Sequence, residues 1–481
     1  MKHTPTLFIS MLVTLAAAST AASAIAFAGD DLSLDAFLKQ VKEKNDGVKG
    51  TIQGSTGAAL RKSDADLLYS PYLTLDGQLL TDKKPNLFLA QITGTVNNTY
   101  ALGFSKLFSS GTTAKLSYNL GYQQYLGSPS QVAANGVHIA TPQIEFRQPL
   151  WRNFFGVETR ALHTVNESDA LAKEFEQSYL TKTSLADAEI SYWRLALARQ
   201  VVTVQKEALS RAQKILDYNT RRANLQLADK ADVLQSEALL ELRRLELQQA
   251  TDEERTSRLV FNQARGVDND GVSESLLALD KDDVAERIEA PVRAGVRDDV
   301  KAAQQRERQS VANSQIGIEK SKPTAELYGT YAFNGQQPAL GDAFTQSFTN
   351  AIPTRVVGLK VAIPLDFGDV SRAHEGFRKE QLGAELVTSK KAFDQDRDWA
   401  DLTQKFTEAK KRLTLAKAIE TAQEKKLNYE RERAQRGRST TFQVLTFEQD
   451  FSSAQLSRIR TQADILNIVS RMKVFTSGGS L

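Results

Sequence analysis

The sequence predicts a mainly α-helical chain with a membrane β-barrel portion. Three observations carry this. Helical periodicity runs unbroken over residues 156–226 and about 369–436, far longer than a globular domain holds. Two-residue alternation marks shorter stretches before each of these segments. The same order of elements then occurs twice along the chain.

The long helices set the scale. At about 1.5 Å per residue, residues 156–226 make a rod of about 100 Å. Ile190, Trp193, Leu197, Val201, Val204, Ala208, Ala212 and Ile215 recur in steps of three and four, a coiled-coil stripe. A second helix follows over 230–266. Leu234, Ala238, Leu242 and Leu245 form one stripe on it, and Leu240 and Leu247 offer another. Phe393, Ala400, Phe406, Ala409 and Leu413 repeat the pattern later. A helix with two lateral stripes packs a neighbour on either side, as in a cylinder of helices. A plain antiparallel coiled-coil hairpin fits the same stripes.

The strand-like segments alternate. Leu73, Leu75 and Leu79 point one way, and Thr74, Asp76 and Gln78 the other. Ala114, Leu116, Tyr118, Leu120 and Tyr122 alternate with Lys115, Ser117, Asn119 and Gln123. Ile144 and Phe146, then Val357, Leu359, Val361 and Ile363, do the same. Segments of about 10 residues, apolar on one face and polar or charged on the other, are the signature of outer-membrane strands. A soluble antiparallel sheet also alternates, but the charged set here suits a wet lumen. A spanning sheet must close, because a bare edge in hydrocarbon leaves backbone groups unpaired. Four to six candidate strands fall short of the roughly eight that a barrel needs. Several chains must therefore share one barrel.

Direct comparison of the halves supports an internal duplication. Val48-Lys49 matches Val300-Lys301, and Pro71 matches Pro323 in the same register. Leu75 and Gly77 fall on Leu327 and Gly329, and Pro149-Leu150 on Pro364-Leu365. Val233-Leu234 with Glu237 corresponds to Val444-Leu445 with Glu448. The chain divides into a leader (1–28), a first repeat (29–266), a polar equatorial linker (267–296), a second repeat (297–475) and a short tail (476–481). Within the repeats, strands fall at about 71–150, 324–334 and 355–366. Long helices fall at 156–226, 230–266, 369–436 and 440–475.

The leader has a short positive start, an apolar centre and an Ala26-Phe27-Ala28 end, the pattern of a secretory signal peptide. Ala22-Ser23-Ala24 is a second cleavage position. After it no run approaches the roughly 20 apolar residues of a transmembrane helix, so any membrane contact of the mature chain must use strands. There are no cysteines, which excludes disulfides, thiolate metal sites and a lipoprotein cysteine. The net charge is +3 with both signs mixed, unlike a nucleic-acid footprint.

Gln148-Pro149-Leu150 through Arg160-Ala161, Ile363-Pro364-Leu365 followed by Gly368, and Ala231-Asp232-Val233-Leu234 with Glu237 carry a resemblance, joined by Gly437 with 440–445. In order and spacing they resemble the TolC family of outer-membrane efflux proteins, over nearly all the mature chain. The resemblance implies a homotrimer with one shared β-barrel, continuous with a long antiparallel α-helical barrel that tapers in the periplasm. It implies contact with outer-membrane lipid, docking to a periplasmic adaptor (membrane fusion) protein and an energising inner-membrane transporter. The duct would serve a tripartite efflux pump or a type I secretion system, without cofactor or chemistry of its own.

Three departures from the family matter. A further hairpin, 96–108 and 112–125, would give a trimer 18 strands rather than 12, or fold elsewhere. The acidic ring that the family places beside the second Val-Leu is replaced by Gln443 and Thr446; Asp232, with Asp229 nearby, is the acidic gate candidate of the first repeat. In a trimer Asp232 would recur around the entrance and bind cations; equally, it is an acid at a helix start, favoured by the dipole. The tip turns, Gln226, Leu227 and Ala228 in one repeat and Gly437, Arg438 and Ser439 in the other, are the adaptor-docking candidates, with Gln226 standing where a glycine is usual.

No phosphate loop or H-E-x-x-H occurs, and His163 and His374 read as solvated surface residues rather than metal ligands. No nucleophile–base pair is present, so the chain reads as a non-enzyme. A structural or adhesive coiled-coil envelope protein is the alternative. A general diffusion porin would lack the long helices.

Overall fold

The computed structural model describes residues 31–84, 92–127, 136–227, 229–277 and 284–476. The leader and the last tail residues lie outside them. Along the chain come β1 (Asp31–Leu32), α1 (Leu34–Lys44), α2 (Asp46–Arg61), α3 (Asp64–Leu67), β2 (Tyr72–Asp82), β3 (Gly94–Leu107), β4 (Thr113–Leu126), β5 (Val137–Pro149), α4 (Val157–Asn224) and α5 (Lys230–Ala264). Then follow β6 (Ser275–Leu276), α6 (Val284–Arg287), α7 (Asp298–Lys320), β7 (Thr324–Phe333), β8 (Gly335–Gln337), α8 (Leu340–Gln346), β9 (Pro353–Ala362), α9 (Phe367–Gln435) and α10 (Thr441–Met472).

Six of the strands form one antiparallel sheet in the order β2-β3-β4-β5-β7-β9, with β8 beside β5. The alternation read from the sequence becomes two faces in cross-strand register. Leu73, Phe104, Leu116, Ile144 and Tyr331 lie in one row, and Leu75, Leu102 and Tyr118 in the next. Side chains on this face are widely exposed: 79% for Leu75 and 83% for Val357. The opposite face is polar. Lys115 approaches Glu145 to 3.9 Å, and Gln143 donates to Glu145 at 2.6 Å. Both edge strands, β2 and β9, lack an outer partner among the described residues.

The further hairpin is β3–β4, and it sits inside this sheet between β2 and β5 rather than folding elsewhere. Its turn docks at the start of α4. There the backbone makes a sharp corner through Asn153, Phe155 and Gly156, all at positive φ. A Cβ on Gly156 would lie 1.8 Å from the Ser109 carbonyl oxygen of the turn. Only glycine fits that corner. Asn153 then caps α4 by accepting from the Thr159 amide at 3.0 Å, and its own amide donates to Glu319 at 3.2 Å.

Several boundaries differ from the sequence reading. The strand expected over 324–334 stops at Phe333 and resumes as β8. The one expected over 355–366 begins at Pro353 and ends at Ala362, because Pro364 has no N–H for the ladder. The loop between them holds α8, whose Phe344, with Phe348 just after the helix, packs on Tyr118 at 5.8 and 6.1 Å. The region before β2 folds as the three helices α1, α2 and α3. Asn45 breaks it, capping α2 through the Val48 amide and donating across to the Ala264 carbonyl at 2.8 Å.

Two continuous rods, α4 and α9, run away from the sheet, each about 100 Å long at the usual helical rise. Near the sheet α2 and α7 pack beside them, and farther out α5 and α10. The apolar core sits midway along α4. Phe37 stacks on Phe261 at 4.4 Å, and Tyr192, fully buried, joins them. The Tyr192 hydroxyl donates to the Leu32 carbonyl at 2.7 Å and accepts from the Leu277 amide at 3.1 Å. The parallel pair β1–β6 lies there too, so the polar linker is part of a collar around the helices. Of the stripes on α5, Leu240 is buried while Leu234 and Leu245 are each 55% exposed. Among the described residues no helix is long and apolar enough to cross a membrane.

Candidate functional site

The end of the molecule farthest from the sheet is built from two turns, α4 to α5 and α9 to α10. Both follow one physical plan. In the first, Gln226 takes the left-handed conformation (φ 58), the Leu227 amide donates to the Arg222 carbonyl at 2.8 Å, and the Gln226 amide to Ala223 at 2.9 Å. In the second, Gly437 takes it (φ 73), with Arg438 donating to Arg433 at 2.9 Å and Gly437 to Ala434 at 3.0 Å. This is the Schellman closure of a helix end. Arg222 and Arg433 fold back over it, donating to the Leu227 and Arg438 carbonyls at 2.9 and 3.0 Å. Each guanidinium also lies over a tyrosine one turn earlier, Tyr218 at 5.6 Å and Tyr429 at 6.0 Å.

The following helices start differently. Asp229 caps α5 by accepting from the Ala231 amide at 3.3 Å. Thr440 caps α10 in a reciprocal box with Gln443. Asp232 is half-buried in the first turn of α5, and its carbonyl accepts from Ser236. Thr446 is exposed and donates to the Phe442 carbonyl at 2.9 Å. Ser439 donates to Glu430, and its hydroxyl lies 3.2 Å from the Gln443 amide oxygen. Leu227 stands 63% exposed at the end of its turn, and Arg438 is exposed on the other. Ala228 lies outside the described residues.

The two turns meet side by side. The Tyr218 hydroxyl donates to the Ala434 carbonyl at 3.3 Å, and Thr441 to Asn219 at 3.4 Å. Between α4 and the α9–α10 hairpin they leave a groove of about 470 Å³. Its walls carry Arg211, Lys214, Arg221, Arg222 and Arg431. Behind it, Glu448 is fully buried on α10, accepting from Arg431 at 2.7 Å and from Arg211. This one carboxylate ties α10 to both rods.

The sequence reading did not single out these basic residues or Tyr218. A signal was present: tyrosine followed four residues later by arginine occurs at Tyr218 and Arg222 and again at Tyr429 and Arg433. Away from this end, His163 sits 3.0 Å from Asp66 and His374 2.6 Å from the Ser321 hydroxyl, and the two do not converge within the chain.

No family model matches the sequence, and no curated protein matches it. Solved structures do. The chain is similar to CusC, described as undergoing transmembrane channel formation, with a TM-score of 0.64 and 13% identity over 95% of this chain and 96% of that one. It is similar to the outer membrane protein VceC of Vibrio cholerae, at 0.60 and 14% over 92% and 95%. It is also similar to the open state of the outer membrane channel MtrE of Neisseria gonorrhoeae, at 0.62 and 14% over 92% and 88%. The likeness is one of fold, and it runs from the sheet to the far turns.

Proposed function

We propose that this chain, which has the fold of these outer-membrane channels, is a member of the TolC family and forms the exit duct of a multi-component export machine. Three copies, each giving six strands, close one barrel of eighteen strands in the outer membrane. The rods of the same three copies continue it as a helical tunnel into the periplasm. The duct moves nothing by itself. Solutes enter at the tip, handed over by an inner-membrane transporter through a periplasmic adaptor, and leave through the barrel. Export by the leader peptide and two repeats derived from one ancestral unit belong to the same reading. The matched Schellman turns and Tyr–Arg stacks support the duplication.

One observation carries this reading: an apolar face continuous over six strands, whose two edge strands lack an outer partner among the described residues. Such a sheet is stable in lipid only when each edge meets the opposite edge of another copy. β2 leaves the helices and β9 returns to them, so copies meet antiparallel, like every other pair in the sheet. A structural or adhesive coiled-coil protein needs neither the sheet nor its exposed face.

The test is purification from outer-membrane fractions, followed by electrophoresis without boiling and planar-bilayer recording. A heat-modifiable trimer with discrete conductance steps is expected. A monomer absent from those fractions would sink the proposal.

A further inference from the structure

We propose that the periplasmic tip is an anion-selecting entrance, with the groove between α4 and the α9–α10 hairpin as its binding site for carboxylate-, phosphate- or sulfonate-bearing solutes. This rests on the channel reading above and adds the class of solute that the entrance favours.

Charge comes first. Over residues 219–232 the chain carries Arg221, Arg222 and Lys230 against Asp229 and Asp232. Over 430–443 it carries Arg431, Arg433, Arg436 and Arg438 against Glu430 and Glu432. The excess is three positive charges per chain, drawn together because the two turns touch. Basic residues in the last turn of a helix commonly answer the dipole, but here the dipoles cancel. Two helix ends and two helix starts meet at this tip, each carrying about half a charge.

The groove adds geometry. Its cations outnumber the anions that hold them. Arg211 and Arg431 share Glu448, and Arg211 also reaches Glu207 at 3.7 Å. The Arg221 guanidinium donates to the Asp217 carbonyl of its own helix at 3.1 Å, while the Asp217 carboxylate accepts from Gln213. Arg222 donates to a carbonyl and lies over a ring. Lys214 is exposed and has no ion pair among the described residues. A concave surface lined by one sign of charge concentrates the opposite ion, and rings of Arg or Lys select anions in pores. The volume suits a small multivalent anion. At the two positions where the resemblance leads one to expect acids, Gln443 and Thr446 are neutral.

The experiment uses the full-length purified protein and two measurements. Fluorescence polarisation reads the binding of pyrenetetrasulfonate, with a cationic dye of similar size as the control. Reversal potential across a tenfold KCl gradient reads ion preference. The double variant K214Q/R221Q removes two charges whose contacts, where they have any, are local to α4. We expect the anionic dye to bind at least tenfold more tightly than the cationic one, and at least fivefold more weakly to the variant. Added KCl should weaken it further, and the reversal potential should show chloride preferred over potassium. Equal binding of the two dyes, an unchanged variant, or potassium preference overturns the proposal. Absence of any conductance overturns the channel reading, while the dye titration still decides whether the groove holds anions.

Discussion

A handful of backbone corners decide how this chain turns. Gly156 stands where the sheet hands over to α4, at φ 79 and against the Ser109 carbonyl. Replacing it with alanine adds the cost of a left-handed L-residue, about 1–2 kcal/mol, and a collision with backbone that cannot step aside. Gly156→Ala should therefore destabilise the fold by at least about 2 kcal/mol, seen as a lower midpoint in thermal melting. An unaltered midpoint would mean that the corner relaxes freely. Gln226 shows the opposite case. There a non-glycine residue holds the left-handed corner and the Schellman closure still forms.

Between elements, buried ion pairs hold the rods in register. Asp298, at the start of α7, is 2.8 Å from Lys182 on α4 and 3.0 Å from Lys301, and accepts from Ser178. Burial pushes its carboxyl up, but the hydrogen bonds from Lys182, Lys301 and Ser178 outweigh it and hold the group below the ordinary carboxylate value. A depressed folded pKa favours the ionised form in the fold. Its stabilisation is thus complete above the unfolded value of about 3.8 and fades as pH falls through the lower folded one. Asp298→Asn should cost about 3 kcal/mol at pH 7, because two lysines lose their partner. The gap from wild type should narrow as pH falls through the lowered folded value, with helix content followed by circular dichroism during melting. A gap that stays constant with pH would refute the assignment.

Much at this scale was legible beforehand. Both 100 Å rods and the alternating faces follow from periodicity, which is set locally by side-chain spacing. What stayed hidden depends on contacts distant in sequence. Asn45 breaks a helix that composition would continue, because Ala264 offers it a carbonyl. α8 hides in a loop because its seven residues gain their support from Tyr118, far earlier in the chain. The basic groove stayed unseen because its walls come from helices about two hundred residues apart.

For the whole molecule, strand number sets the bore. With strands about 4.8 Å apart and tilted about 40°, a ring of eighteen is about 36 Å across, against about 24 Å for twelve. In the proposed trimer, four helices per chain at about 9–10 Å spacing would make a tunnel of about 36 Å, so the β3–β4 hairpin would match barrel to tunnel. Deleting residues 94–126 leaves β2 and β5 able to pair antiparallel. That variant should still form trimers, with a barrel about one third narrower, read by the polymer size that blocks it from the outer side. An unchanged exclusion limit would place the hairpin outside the ring.

In the proposed barrel, the two edges that lack a partner among the described residues also impose an order of events. A solitary copy entering the bilayer would drag rows of unsatisfied amides into oil. Copies must find each other in the aqueous space first, or cross the threshold together. Assembly of the proposed ring is then a meeting problem, steeply sensitive to how many copies are present at one moment.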